Sequence, residues 1–531
     1  MVWRIDDQQG NETGKVRWEL PRYTRGMGLD VGCGRAKGFP HFIGVDQNLQ
    51  MQKTILDPDI MVMDGTKLPM FASGSMDFVF SSHMLEHVVD PKAALAEWWR
   101  VIKTGGHLCL YLPHKDFYPN VGKPGANPDH KHDFLPADIE AILAKIGSWD
   151  LLRNEERNQS DEYSFFQVYK KLPSGQGHKH SFKLPRPAKT CAIVRYGGLG
   201  DALQMSSVLP GLKAQGYHIT LYATERAWEV VKEDPNLDAV YLQDTDQVPN
   251  SHLGDFWEHE KKKYDKWINL SESVEATWLA TKDKGPFHAW PTSVRKKYLS
   301  KTNYVEFQHD VAEVVYDGPL QKFYPTLEEK NWAFEQKRKM GGDPLILWVT
   351  NGTSQHKVWP HMDPIIARLL LTWPDIKIVM TGDQKAYLMY QPWEKEKRIV
   401  WAGGAVWGIR QSLAFAEQCD LVIGPETGVM SSVAMSKMPK IVFLSHSSHE
   451  NLTRDWKNTF SLFSTKTKCY PCNQLHYDWK YCWRNEDKDE KAYWSGTAQC
   501  QVDIPPEACW FALMKALEAK LPQEEENAIA V

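Results

Sequence analysis

The stretch "TCAIVRYGGLGDALQMSSVLPGLKAQGYHITLY", Thr190–Tyr222, decides how the chain divides. An apolar run of strand type leads into a glycine-rich turn, an amphipathic segment and a second apolar run. That succession of strand, turn, helix and strand opens a nucleotide-binding domain, since glycines let backbone approach a ligand closely. Yet a similar unit, "GMGLDVGCGRAKGFPHFIGVD", has already occurred at Gly26–Asp46. Two such openings in 531 residues, too many for one ordinary core, predict two catalytic modules on one chain.

Between them lies "PSGQGHKHSFKLPRPAK", Pro173–Lys189, rich in glycine, proline and basic residues and without apolar period, which reads as a linker. Short apolar runs alternate with helical patterns on both sides of it, as parallel sheets covered by helices on both faces require. The expected fold class is α/β: one Rossmann-like domain over 1–172, a linker over 173–188, two further Rossmann-like lobes over 189–340 and 341–520, and a frayed tail over 521–531.

Composition narrows the class. A hydrophobic content of 42%, a charged content of 24% and a net charge of −4 describe an ordinary soluble globular protein with no global basic field. The basic runs "EKKKYDKW" and "VRKKYLSK" read as solvated helix faces. The polar N-terminus has no signal-peptide pattern, no apolar run reaches membrane-spanning length, and nine cysteines include isolated ones within apolar strands. A cytoplasmic location is the expectation.

In the first unit, "LDVGCGR" places Gly32 and Gly34 directly after a strand, and the next strand ends in Asp46, where a carboxylate can accept from ribose hydroxyls. The third glycine of a pyrophosphate cradle is missing. These residues, with the nearly continuous pattern "DGTKLPMFASGSMDFVFSSHMLEHVVDPKAALAEWWRVIKTGGHLCLYLPH", resemble the class I S-adenosylmethionine-dependent methyltransferases over about residues 25–169. The resemblance implies that Asp30, Gly32 and Gly34 line the methionine end of S-adenosylmethionine. It implies ribose for Asp46, adenine for Asp64 and Gly65, and closure of the pocket for Ser82 and His83. The segment "RAKGFPHFI" is too short for the family's full first helix. His83, His87, His114, His130 and His132 are candidates for a base, with His130 and His132 in "NPDHKHDF" ranked first. "DHKH" can also be read as part of a metal site, against which stands that two histidines spaced i, i+2 in a loop have no defined further ligands.

In the second unit Asp201 follows the glycine turn, and two roles fit it: a helix N-cap or a functional carboxylate. "GDALQMSSVLPGL", "NGTSQHKVWP", "VMTGD" and "GPETGVMSSVAMSKMPKIVFL" resemble, in order, the motifs of glycosyltransferase family 9, the heptosyltransferases and their relatives. The likeness covers about residues 189–517 and implies a GT-B-type pair of lobes with a nucleotide-diphosphate sugar as donor. Inverting transfer needs a carboxylate base, for which Asp201 fits, and positive charge or N–H groups for the departing diphosphate. Lys357, Thr353, Ser354, Thr427 and Gly428 are the donor-side candidates, and Glu426 is expected to accept from a ribose or sugar hydroxyl. Ser431 stands where the family usually has histidine. No metal-binding D-x-D pattern is suitably placed, which fits a metal-independent mechanism.

Cys469, Cys472, Cys482 and Cys500 make half of a zinc signature, so structural zinc and reduced packed thiols both remain open. The metal content is therefore unknown. The leading reading is a bifunctional methyl- and glycosyltransferase acting on surface glycan or lipopolysaccharide-type material. Its acceptor is expected to be a glycan or glycolipid, with room for peripheral contact with a membrane. The alternatives are a glycosyltransferase with a non-catalytic S-adenosylmethionine-binding module, and a nucleic-acid-modifying transferase. The near-neutral charge argues against nucleic acid.

Overall fold

The central strands that the apolar runs predicted, such as Gly28–Val31, Leu345–Val349 and Leu421–Pro425, are buried along their whole length, as sheets covered on both faces require, whereas edge strands such as Ala239–Leu242 and Ile399–Trp401 are only partly buried. The computed structural model describes residues 12–47, 59–159, 161–183, 187–271, 301–319, 321–352, 357–472 and 497–520. Two compact units emerge: Met1–Ala188 with Tyr241–Asp265, and Lys189–Val240 with Lys266–Val531.

The first unit holds β1 (Gly28–Val31), β2 (Ile43–Asp46), β3 (Ile60–Val62), β4 (Met76–Ser82), β5 (Ile102–Pro113), β6 (Trp149–Gln159), β7 (Glu162–Lys171) and β8 (His178–Lys179). They form one sheet in the order β3-β2-β1-β4-β5-β7-β6-β8. Strands β1 to β5 pair in parallel, and β7 runs antiparallel to both β5 and β6. The helix Pro91–Val101 starts on Asp90, which accepts from the Ala93 N–H at 3.0 Å, with Pro91 at the position where a missing N–H costs nothing. Its Leu95, Trp98 and Val101 lie fully buried on one face. Trp98 Nε1 donates to the Gly65 carbonyl at 2.7 Å, so this helix fixes the turn that carries Asp64 and Gly65.

No helix joins β1 to β2. The short connection is held by polar contacts instead: Asp30 Oδ2 accepts from the Gly38 N–H at 2.7 Å, and Arg17 Nη1 donates to the Gly38 carbonyl at 2.6 Å.

The second unit contains β9 (Thr190–Val194), β10 (His218–Ala223), β11 (Ala239–Leu242) and β12 (Lys266–Asn269), in the order β11-β10-β9-β12. Its second sheet comprises β13 (Leu345–Val349), β14 (Lys377–Thr381), β15 (Ile399–Trp401), β16 (Leu421–Pro425), β17 (Lys440–Phe443) and β18 (Thr459–Leu462). Their order is β15-β14-β13-β16-β17-β18, all parallel. Strand β13 shows how both faces are used. Leu345, Leu347 and Val349 enter one apolar cluster, while Ile346 and Trp348 enter another. Burying each such side chain contributes roughly 1.5–3 kcal/mol. The first of these clusters also holds Ile193, Leu203 and Leu221, so one core runs through both sheets.

The units depart from the domain boundaries expected from sequence. Residues 241–265, expected within the lobe 189–340, pack in the first unit. There Arg25 Nε donates to Asp244 Oδ1 at 2.6 Å, Arg22 Nη2 to the buried Glu260 carboxylate at 2.8 Å, and Gln247 Nε2 to the Pro21 carbonyl at 2.6 Å. Hydrophobic periodicity identifies a segment as helix or strand, but it does not say which core the segment covers. Proteolytic cleavage within 173–188 is therefore expected to leave two fragments that elute together in size-exclusion chromatography and part only in denaturant. Separate elution in native buffer would show that the 241–265 segment does not hold the first unit.

Candidate functional site

In open α/β sheets ligands bind beyond the carboxyl ends of strands, where the strand order reverses. The first sheet reverses between β1 and β4, with Gly32 and Gly34 in the loop leaving β1 on one side, and Ser82 ending β4 with His83 directly after it on the other. Gly32 has φ +77°, and an added Cβ would lie 2.4 Å from Met84 Cγ. Gly34 has φ +62°, with nothing within 4 Å of an added Cβ, so it borders open space. The Gly34 N–H donates to Asp46 Oδ2 at 3.0 Å, tying this turn to the end of β2. Asp64 Oδ1 accepts from the Thr66 N–H and hydroxyl at 2.9 and 2.7 Å. Burial alone would raise the Asp64 carboxyl, but the Thr66 hydrogen bonds and Lys67 leave it below its ordinary value. Ser82 Oγ is buried with no hydrogen-bond partner among the described residues.

His83 sits at φ +48° and its Nε2 lies 2.9 Å from Ser164 Oγ. Burial, helped by Lys15, His130 and His87, pushes its imidazole down to about 3, so it is neutral at physiological pH. His114 stacks on Phe117, with ring centroids 4.0 Å apart. His130 is buried against Glu86, whereas His132 Nε2 faces the Val89 carbonyl at 3.4 Å.

Asp30 is buried and braces the turn, its carboxylate Oδ2 accepting from the Gly38 N–H. Burial raises it to about 7, against the lowering effects of the Gly38 N–H, Arg17 and Lys37. An unfolded aspartate releases its proton near pH 4, about three units earlier. Between those values unfolding releases a proton, so rising pH favours the unfolded state. Relative to Asp30→Asn, the wild-type first unit is expected to lose thermal stability as pH rises from about 4 to about 7. Calorimetry of both proteins across that window checks it, and parallel curves would contradict it.

In the second unit the order of each sheet reverses in the same way, between β9 and β12 and between β13 and β16. At the first reversal stands Asp201, three residues inside the helix Leu199–Ser206 rather than at its N-cap, which is Gly198. Asp201 Oδ2 accepts from the Gly198 N–H at 2.6 Å, and Oδ1 lies 2.9 Å from Nη2 of the buried Arg195. The side chain is 40% exposed, so lone pairs remain within reach of a ligand.

At the second reversal Lys357 Nζ donates to the Glu426 carbonyl at 2.9 Å, and its chain passes over Gly352, where an added Cβ would meet Lys357 Cδ at 2.7 Å. Glu426 is buried. Its Oε1 accepts from the Ser445 N–H and hydroxyl at 2.7 and 2.5 Å and from the His446 N–H at 2.8 Å, with His446 Nδ1 3.0 Å away. Burial alone would raise its carboxyl, but His446, Lys357 and Ser445 hold it well below the carboxylate range. Its Oε2 and the Thr427 hydroxyl are buried with no hydrogen-bond partner among the described residues. The helix after Thr427, Gly428–Ser432, has only five residues, so its dipole is weak, and among the described residues Lys357 brings a positive charge to this turn. Thr353 and Ser354 lie outside the described residues, as does Cys482.

The two reversal points of this unit meet. An added Cβ on Gly428 would lie 2.6 Å from Leu199 Cβ, and one on Gly200 would lie 3.2 Å from Ser431 Oγ. Ser431 thus serves the seam between the two loops. Sequence reasoning missed Arg195, although a cation ending the apolar run "CAIV" must find a partner once buried. It also missed Glu86 and the Ser445–His446 turn, which no local pattern marks.

Residues 29–110 match the family model described as a methyltransferase domain, the transferase class expected for this half. An uncharacterized protein of Methanocaldococcus jannaschii, MJ1123, is 33% identical over 124 residues, 23% of this chain and 58% of that protein. The chain thus spans less than two thirds of that relative's length. A family 9 glycosyltransferase of Veillonella parvula is similar to the C-terminal part at 18% identity, with 62% of this chain and 98% of that one covered and a TM-score of 0.45. A methyltransferase structure from Aquifex aeolicus, described as S-adenosylmethionine-dependent, is similar to the N-terminal part at 18% identity. It covers 30% of this chain and 88% of that one, with a TM-score of 0.24. At these levels the reading of each unit rests on its own residues. Among the described residues no helix is long and apolar enough to cross a membrane.

Proposed function

We propose that the chain is a two-module transferase. Its first unit transfers methyl groups from S-adenosylmethionine. Its second is an inverting, metal-independent glycosyltransferase that uses a nucleotide-diphosphate sugar, in assembly of a surface glycan or lipopolysaccharide-type acceptor. The observation that carries this reading is positional: Gly32, Gly34, Ser82 and His83 in the first module, and Asp201 and Glu426 to Gly428 in the second, stand at the reversal points of their sheets, where such folds bind ligands.

For the first module the residues fit the cofactor. Gly32 and Gly34 hold a left-handed turn beside open space, Asp46 anchors that turn, and buried Ser82 offers an unsatisfied hydroxyl. The bound cofactor supplies an electrophilic methyl group on a sulfonium. The chain's contribution is to orient and dehydrate, since in-line methyl transfer is governed by positioning. Asp30 shapes the turn, Asp64 and Gly65 form the adenine side, and His83 packs at the pocket's edge. Titration of S-adenosylmethionine into the full chain by calorimetry tests this. Asp46→Ala is expected to weaken binding by roughly 1–3 kcal/mol, the value of charge-assisted hydrogen bonds. A folded wild-type protein that gives no heat at millimolar cofactor refutes it.

For the second module Asp201 is the base that takes the acceptor proton, oriented by Arg195 and Gly198. Lys357 holds the diphosphate, with Thr427 and Gly428 beside it. Thr353 and Ser354 complete that side by the family resemblance. Glu426 Oε2 and the Thr427 hydroxyl are the polar atoms available to donor hydroxyls.

A further inference from the structure

Glu86 lies in the short turn Leu85–His87 that follows β4, and its side chain is fully buried. Neither carboxylate oxygen has a hydrogen-bond partner among the described residues. A buried carboxylate left so costs several kcal/mol as an anion, so it either keeps a proton or binds a cation. What surrounds it separates these choices. Around Oε1 stand three imidazole nitrogens: His83 Nδ1 at 3.7 Å, His130 Nε2 at 3.8 Å and His87 Nε2 at 3.9 Å.

Two features beyond proximity make this a built cluster. His87 Nδ1 lies 3.2 Å from the Asp129 carbonyl, which selects the tautomer protonated there and leaves the Nε2 lone pair facing Glu86. Metal-bound histidines are commonly oriented in this way by a carbonyl behind them. The loop bearing His130 is pinned to the Glu86 turn, because the Lys131 and His132 N–H groups donate to the Glu86 carbonyl at 2.8 and 3.2 Å. The Lys131 ammonium is itself held on the His87 carbonyl at 2.5 Å.

We propose that Glu86, His87 and His130 form a binding site for a divalent transition metal of the zinc class, with His83 beside it. Their ligand atoms lie within 4.8 Å of one another. Bonds of about 2.0–2.1 Å at tetrahedral angles bring ligand atoms to about 3.3–3.5 Å. The two Glu86–histidine pairs, at 3.8 and 3.9 Å, need a contraction of about half an ångström, and no pair needs more than about 1.5 Å, which side-chain torsions can supply. Two imidazoles and one carboxylate suit zinc, cobalt or nickel, whereas magnesium and calcium prefer all-oxygen shells. Three protein ligands leave a fourth position for water. The site lies outside the glycosyl-transfer machinery and does not depend on methyl transfer.

The test uses untagged full-length protein stripped with chelator and titrated with Zn²⁺ by calorimetry and with Co²⁺ by visible absorption. One equivalent is expected at this site, without the near-ultraviolet thiolate band that cobalt on Cys469, Cys472 and Cys500 would give. Glu86→Gln and His130→Ala are each expected to weaken it by about tenfold or more, and Mg²⁺ should not compete. His132→Ala, outside the cluster, should leave it unchanged. Circular dichroism checks that the variants fold, and His87→Ala, at a partly exposed position, replaces any that does not. Absence of Zn²⁺ and Co²⁺ binding, or binding undiminished by these substitutions, overturns the proposal and leaves Glu86 a protonated buried acid.

Discussion

Asp201→Asn is expected to lower sugar transfer by about 10²–10⁴-fold, the usual contribution of a positioned acid or base. In barrier height that is about 2.7–5.5 kcal/mol. A stability loss accompanies it. Asparagine can still accept from the Gly198 N–H, but it gives up the charge that faces buried Arg195 at 2.9 Å. With Asp201 partly exposed, this loss is roughly 1–2 kcal/mol, so the rate effect exceeds the folding effect. Rates compared well below each melting temperature separate the two. Donor affinity should survive the change, because Lys357, Thr427 and Glu426 stand on the other sheet. An Asp201→Asn enzyme that transfers sugar at the wild-type rate would make Asp201 a brace for the helix start and nothing more.

The second large effect is expected from one added methyl group. Gly428→Ala places a Cβ 2.6 Å from Leu199 Cβ and 3.2 Å from the Gly200 nitrogen. A Cβ is fixed to its backbone and cannot swing aside, so one of the two loops must move. Overpacking of this kind costs roughly 1–3 kcal/mol. The same movement separates Asp201 from Thr427, and a displacement near 1 Å in a positioned site can cost about a hundredfold in rate. Loss of sugar transfer out of proportion to the loss of stability is the expected signature. Gly254→Ala is the control, since nothing lies within 4 Å of its added Cβ. Equal behaviour of the two variants would mean that the seam between the loops is unimportant.

The two predictions rest on different kinds of information. Apolar runs, glycine turns and their order were enough to predict α/β folds on both sides of residues 173–188, because a parallel strand buried on both faces leaves a local signature. The turns that carry Gly32, Gly34, Asp46, Asp201 and Glu426 were legible too, each lying at or beside a strand end. What those side chains do inside the fold was not. Asp201 fits an N-cap or a functional carboxylate in the linear sequence, and the fold puts it at the third helical position facing Arg195, a pairing made by the return of the chain around the turn. Asp30 reads as a cofactor residue and is turned onto Gly38. The segment 241–265 lies far along the chain from residues 17–26 and packs in the same unit, through charges that carry no periodic signal. His87 and His130 are 43 residues apart and meet across Glu86 only because a loop returns to the end of β4. Sequence alone determined which segments form strands and turns, since that depends on neighbouring residues. Tertiary structure decided which distant polar groups satisfy one another once buried, since burial removes the water that would otherwise have served each of them separately.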